Sequence, residues 1–375
     1  MMNSKSWLSQ KADKIDTSQI RKLFDMASSL KNPLNLSIGQ PDFPVPESVK
    51  EALIKAVRDN RNSYTPTQGI AELRQAISDG WLKNSGFSVS PDNVIVSAGV
   101  APLLYLLYDA LFNEGDQILL IDPYFLMYES LAGYHDLIRF YLPENFSQSD
   151  ADSLMENKDF NPKVIIFASP SNPSGKILSV EQLKVLSSIA EKYNSIIVSD
   201  EIYQSFDYEK KHTSMAAINP DRTVTLGGFS KSHAMTGLRV GYMGVGKMIS
   251  VVGQKVAALQ QYSVVCAPQP SQWAAIVALQ NPLVDEIQLM KSRRDRVVGR
   301  LGNQVAYNYP EGAFYLFIDV KEDGLAFVQK ALKQELLIVP GHIFSQKKNF
   351  VRISYAQKEE IIDQGLEILL SLVQK

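Results

Sequence analysis

Five short segments carry the residues whose types and spacing could do chemistry, and each follows an apolar run. Ser97-Ala98-Gly99-Val100-Ala101 follows Val94 to Val96, and Asp122-Pro123-Tyr124-Phe125 follows Gln117 to Ile121. Ser169-Pro170-Ser171-Asn172-Pro173-Ser174-Gly175 follows Lys163 to Phe167, Asp200-Glu201-Ile202-Tyr203 follows Ser195 to Val198, and Gly227-Gly228-Phe229-Ser230-Lys231 follows Thr223 to Leu226. Taken singly, each has a plain structural reading. Asn-Pro-Ser-Gly is a turn sequence, an Asp at a strand end caps a helix, and most lysines are solvated. Taken together, an amine, a carboxylate, a phenol and a carboxamide at the ends of successive buried strands point to one small-molecule site. In an open α/β sheet, ligands bind at the carboxyl edge of the strands.

The residues that most often serve as nucleophile and general base are scarce. The 375 residues include one cysteine, Cys266, and four scattered histidines, which argues against a disulfide and against a Cys- or His-rich metal cluster, so no metal is expected. With 38 Lys+Arg against 40 Asp+Glu, the net charge of −2 offers no field for nucleic acid or an anionic membrane. Charged residues from Lys5 to Asp25 leave no room for the apolar core of a signal peptide, and no run of 18 apolar residues occurs. A reducing, cytoplasmic setting is the expectation. No repeat or low-complexity tract stands out.

The elements that must position these residues alternate. Each apolar run reads as a buried strand, and amphipathic stretches between them read as helices: Leu103 to Phe112, a helix starting near Pro102, and Val180 to Lys192, the latter opened by Ser179 and Gln182 at capping-box spacing. Strand and helix in alternation imply a mostly parallel sheet with helices on its faces. From about Pro282 the pattern changes. A long charged helix (Val284 to Leu301), the run Ala313 to Val320, a helix near Leu325 to Leu336, a strand-like Asn349 to Tyr355 and a closing helix from Lys358 to Val373 predict a smaller α+β domain. The extended, Pro-rich Leu34 to Pro46 precedes the helix Glu47 to Asn60 and is expected to complete that domain. The expected boundaries are 47–281 for the large domain, and 1–46 with 282–375 for the small one.

Four ordered motifs carry a resemblance. Ser-Asn-Pro-Ser-Gly (171 to 175), Ser-Asp-Glu-Ile-Tyr (199 to 203), Ser-Lys-Ser-His-Ala-Met-Thr-Gly-Leu-Arg-Val-Gly-Tyr (230 to 242) and Val-Arg-Ile-Ser (351 to 354) resemble those of the class I/II aminotransferases. These are fold-type I enzymes that use pyridoxal 5′-phosphate, with a mostly parallel seven-stranded sheet in the large domain. The resemblance runs from about Leu36 to Ala356.

What it implies is specific to residues. Lys231 would form the Schiff base with the cofactor and then shuttle the proton of the substrate α-carbon. Asp200 would face the pyridine nitrogen, while Tyr203 and Asn172 would donate to the ring's phenolic oxygen. Ile202 and Phe125 would cover the two ring faces. The phosphate would take backbone N–H groups of Gly99, Val100 and Ala101, the Arg239 guanidinium and the Ser230 hydroxyl. Tyr64, in Tyr-Thr-Pro-Thr-Gln-Gly (64 to 69), would reach the phosphate of a neighbouring subunit, which implies a homodimer with sites at the interface. Arg352 would fork onto the substrate α-carboxylate, with Gly39 and Asn172 beside it.

The sequence departs from this family at four positions: Ser169 where Asn is common, Gly228 where Ser or Thr is common, Ala101 in place of a hydroxyl residue, and Leu238 in place of Trp. The first consequence is a phosphate that leans on Arg239, Ser230, Tyr64 and backbone. Aspartate-specific members carry an arginine near 262–268, and Gln260 to Pro268 here contains none, so the expected amino donors are apolar or aromatic amino acids. A carbon–sulfur β-lyase of the same fold would share Lys231, Asp200 and Arg352 and is the competing reading. Gly244-Val245-Gly246 lacks the third glycine of a dinucleotide fingerprint, Gly175-Lys176 lacks the Ser/Thr of a phosphate loop, and no Gly-x-Ser-x-Gly occurs.

Overall fold

In a computed structural model, residues 7, 9–15 and 33–373 are described. Most of the stretch read as excluding a signal peptide therefore lies outside the described residues, as do residues 1–6, 8 and 16–32 of the expected small domain. Among the described residues no helix is long and apolar enough to cross a membrane.

The strands in chain order are β1 (Leu34–Asn35), β2 (Val94–Ser97), β3 (Gln117–Asp122), β4 (Ile138–Pro143), β5 (Val164–Ala168), β6 (Ile196–Asp200), β7 (Thr223–Gly228), β8 (Gly241–Val245), β9 (Ala306–Tyr307), β10 (Tyr315–Asp319), β11 (Leu336–Leu337), β12 (Val339–Pro340) and β13 (Phe350–Ser354). Seven of them form one sheet in the order β2-β8-β7-β6-β5-β3-β4, in which β8 alone runs antiparallel to its neighbours. The mostly parallel seven-stranded sheet expected from the sequence is therefore present. The edge strand β2 and the inner strand β8 are buried throughout, and β5, β6 and β7 nearly so, as befits a sheet covered on both faces. The helix Val100–Leu111 packs Leu103, Leu104, Leu106 and Leu107 on one face, and the helix Val180–Tyr193 packs Leu183, Leu186 and Ile189 on the other. The predicted capping box at Ser179 and Gln182 is formed in both directions.

Beyond this sheet, β12-β13-β10-β9 form a four-stranded antiparallel sheet, and β1 pairs parallel with β11. The helices Val284–Leu301, Gly324–Leu332 and Glu359–Val373 bury Val297, Phe327 and Leu366 against them in one apolar cluster. Two local readings need correction. The helix expected from Leu325 to Leu336 stops at Leu332, because Leu336 and Leu337 leave it to pair with β1. The helix expected near Pro102 starts at Val100; Pro102 sits in the first turn, where its missing N–H has no intrahelical partner to lose.

Candidate active site

A cavity of about 460 Å³ opens where the carboxyl ends of the strands meet β10, β13 and the segment 37–40. Of the residues singled out in the sequence, Gly39, Val100, Ala101, Phe125, Asn172, Asp200, Ile202, Tyr203, Ser230, Lys231, Arg239 and Arg352 line it. Gly99 stands just behind the lining. Tyr64 is 84% exposed and does not line the cavity. Among the described residues that line the cavity, the cations are Lys231, Arg239 and Arg352.

One end of the cavity is built for an anion. The helix Val100–Leu111 opens there with Gly99 as N-cap and no side-chain cap, so its first N–H groups are free to face a ligand. Arg239 donates Nη1 to Thr236 O at 2.8 Å and Nη2 to Ala98 O at 2.9 Å, which fixes its fork beside that helix end. Two glycines permit the approach. Gly99 has φ +100°, and a Cβ on it would lie 2.3 Å from Arg239 Nη2. A Cβ on Gly241, at the start of β8, would lie 2.5 Å from the carbonyl carbon of Gly99 and 2.6 Å from Val100 N. Ser169, where the family often has Asn, instead accepts from Leu178 N at 3.1 Å and serves the backbone.

At the floor stands Asp200, buried at the end of β6. Its Oδ2 accepts from Tyr128 Oη at 2.8 Å and its Oδ1 from Ile202 N at 3.2 Å. Burial pushes its carboxyl up to about 6, opposed by the Tyr128 bond and the Ile202 N–H, with Glu201 pushing up and Lys231 down. Glu201 faces away, accepting from Ser199 Oγ at 2.9 Å, Ser214 Oγ at 2.8 Å and Met215 N at 3.2 Å. Lys231, in the short helix Phe229–Ser232 that follows β7, donates Nζ to Gly39 O at 2.6 Å. Burial lowers its amine to about 8, helped by the fields of Arg352 and Arg239 and opposed by Asp200.

The far end is an arginine site. Arg352, buried on β13, donates Nη1 to Asn172 Oδ1 at 3.0 Å and Nη2 to Ser37 O at 2.6 Å, while its Nε is buried without a partner. Its guanidinium lies 4.6 Å from the centre of the Tyr315 ring and 4.7 Å from that of Phe344. Tyr203 Oη and Tyr315 Oη are 2.8 Å apart, and both phenols are held above the usual range by burial. A Cβ on Gly39 would lie 2.3 Å from Tyr315 Oη, so the backbone passes directly over that hydroxyl.

Sequence reasoning missed Tyr128 and Tyr315, which hold Asp200 and Tyr203. Each lies among apolar residues, Leu126-Met127 and Phe314-Leu316, where a tyrosine reads as core. The one available signal is that a buried phenol needs a partner, and nothing local supplies one.

The profile of the family described as aminotransferase class I and II matches residues 31–369. The chain belongs to the class I and II aminotransferases. It is a pyridoxal-phosphate-dependent transaminase. A probable aspartate aminotransferase of Methanocaldococcus jannaschii is 38% identical to this aminotransferase, over 96% of this chain and 98% of that protein. An aromatic-amino-acid aminotransferase of Thermococcus litoralis is 30% identical over 96% of each. The crystal structure of an aspartate aminotransferase from Thermotoga maritima superposes with a TM-score of 0.91 at 31% identity, covering 98% of this chain and 100% of that one. The donor set fits the cofactor: a helix N-terminus with a fixed arginine for a phosphate, a buried carboxylate and a depressed lysine amine for a pyridine aldehyde.

Proposed function

We propose that this transaminase takes its amino group from apolar or aromatic L-amino acids in preference to dicarboxylic ones, with Lys231 as the Schiff-base lysine. The observation that carries the preference is the census of cations in the cavity. Arg239 is held at the helix N-terminus, Arg352 at Asn172 and Ser37, and Lys231 at Gly39, so that among the described residues no further arginine or lysine lines the cavity to meet a distal carboxylate. Ile38, Leu104, Phe125 and Leu126 supply apolar wall instead.

Pyridoxal phosphate, when bound, supplies the electron sink for carbanion charge. The chain's residues divide the remaining work. The amides of Val100 and Ala101, backed by Gly99, would hold the phosphate together with Arg239 and Ser230. The Asp200 carboxylate would keep a proton on the pyridine nitrogen, Tyr203 and Asn172 would donate to the phenolic oxygen, and Ile202 and Phe125 would cover the ring faces. Lys231 Nζ, unusually easy to deprotonate, takes the substrate α-proton and returns it. Arg352 forks onto the α-carboxylate, its Nε gaining the partner it lacks, with Gly39 alongside. The exposed Tyr64 fits a homodimer in which it reaches the phosphate end of the partner's cavity. A reducing, cytoplasmic setting suits a chain with one cysteine.

Aspartate is the second reading, favoured by the names of relatives such as that of Methanocaldococcus jannaschii. Loaded enzyme offered phenylalanine, tyrosine, leucine, methionine, aspartate and glutamate in turn decides between them. A kcat/KM for aspartate above that of every apolar donor overturns the preference. With an S-substituted cysteine offered in addition, whose Cβ carries a leaving thiol, release of that thiol with pyruvate and ammonia in place of a 2-oxo acid with retained carbon skeleton would assign a β-lyase.

A further inference from the structure

Tyr315 comes from β10, the strand beside Arg352's β13, yet its hydroxyl meets Tyr203, which follows β6 in the large sheet. Three surroundings define that hydroxyl. It lies 2.8 Å from Tyr203 Oη, it is pressed by the backbone at Gly39, and its ring lies 4.6 Å from the Arg352 guanidinium. Tyr315 also lines the cavity itself. None of this is demanded by packing alone, since a phenylalanine would fill the same volume.

Proton counting fixes the direction of the contact. A phenol carries one proton, and without a ligand either tyrosine can be the donor. Once Tyr203 gives its proton to the ring oxygen of the cofactor, the bond between the two tyrosines survives only with Tyr315 donating to Tyr203. We propose that Tyr315 is a positioning residue of the reaction, which donates to Tyr203 and thereby strengthens the hydrogen bond that Tyr203 gives to the cofactor's phenolic oxygen. Hydrogen bonds in a buried chain polarise one another, and the nearby guanidinium makes the Tyr315 phenol a better donor. This rests on the cofactor reading above. A stronger donor at the phenolic oxygen stabilises its anion and loosens the proton shared between that oxygen and Lys231 Nζ, so the visible absorbance of the loaded enzyme should titrate at lower pH.

The test is a pH titration of that absorbance in wild-type, Tyr315→Phe, Tyr203→Phe and doubly substituted holoenzyme. Tyr315→Phe keeps the ring beside Arg352 and removes one oxygen. It should raise the midpoint by roughly half to one pH unit, and KM for the amino acid should change less than about twofold. Tyr203→Phe should raise it further, and the double variant should match Tyr203→Phe alone, because Tyr315 acts through Tyr203. An unmoved midpoint in Tyr315→Phe, or additive shifts in the double variant, overturns the proposal. If wild-type protein mixed with pyridoxal phosphate develops no pH-dependent visible band, the cofactor reading itself has failed.

Discussion

Tyr128 Oη donates to Asp200 Oδ2 at 2.8 Å, and both side chains are shut off from solvent. The bond crosses from the helix Leu126–Tyr134, which follows Phe125, to the end of β6, and it opposes the upward push of burial on Asp200. Its consequence is electrostatic as well as geometric. A carboxylate meant to hold a proton on a pyridine nitrogen must stay ionised, and each donor to it favours the charged form.

Tyr128→Phe should therefore raise the Asp200 carboxyl above about 6 and weaken its grip on the ring nitrogen. The expected outcome is a fall in kcat of roughly 3- to 10-fold at neutral pH, about 0.6 to 1.4 kcal/mol, with the acid limb of the pH–rate profile moved upward. A pH–rate profile with an unmoved acid limb would rule this out.

How far such residues could be read in advance depended on whether their role was local. Asp200, Lys231 and Asn172 could be read because they recur together at the carboxyl ends of successive buried strands, although singly each passes for a cap, a solvated lysine or a turn. Tyr128 and Tyr315 do not, since their partners are 72 and 112 positions away and a tyrosine inside an apolar run reads as core. Two strands of the seven-stranded sheet lack the apolar run that marks the other five. β8 contains Gly241 and Gly244, which lower strand propensity yet are needed where a Cβ would meet the Gly99–Val100 peptide or the Trp81 ring. β4 is an edge strand whose Ile138 and Arg139 are exposed, so it lacks the continuous apolar run of its neighbours.

Arg352→Lys should separate substrate binding from cofactor binding. Lysine keeps the charge but loses the planar fork that Arg352 divides between Asn172, Ser37 and a free Nε. We expect KM for the amino donor to rise by roughly 10- to 100-fold, about 1.4 to 2.8 kcal/mol, while affinity for pyridoxal phosphate changes little. Steady-state kinetics together with a cofactor titration of the unloaded protein checks both halves.

Glu144 gives a prediction about stability. Its buried carboxylate accepts from Ser174 Oγ at 2.5 Å and from Asn308 Nδ2, tying the loop that bears Asn172 to the connection between β9 and β10. Burial pushes this carboxyl from 4.5 to about 7, with Asp122 adding to the push and the Ser174 bond and Lys176 opposing it. Because the folded value lies above the unfolded one, the native state holds the extra proton. The stability this contributes is present at low pH and is lost as pH rises from about 4.5 to about 7, a change on the order of 3 kcal/mol. Glu144→Gln should remove the decline, so urea unfolding between pH 5 and 8 should show wild-type stability falling relative to the variant. A constant difference across that range would contradict it.

The depressed amine of Lys231 predicts how the cofactor is taken up. Attack on an aldehyde needs the neutral amine, and burial with the fields of Arg352 and Arg239 brings that form within reach near pH 8. An unperturbed lysine at pH 8 would be neutral in well under about 1% of molecules, whereas Lys231 would be neutral in about half. The rate at which unloaded protein gains visible absorbance from pyridoxal phosphate should thus rise about tenfold between pH 7 and 9 and then level off. Arg352→Gln removes one of the two cationic fields, so the midpoint of that rise should move upward in the variant. A wild-type rate still climbing steeply at pH 10 would mean that the amine is not depressed and that Arg352 and Arg239 do not act on it.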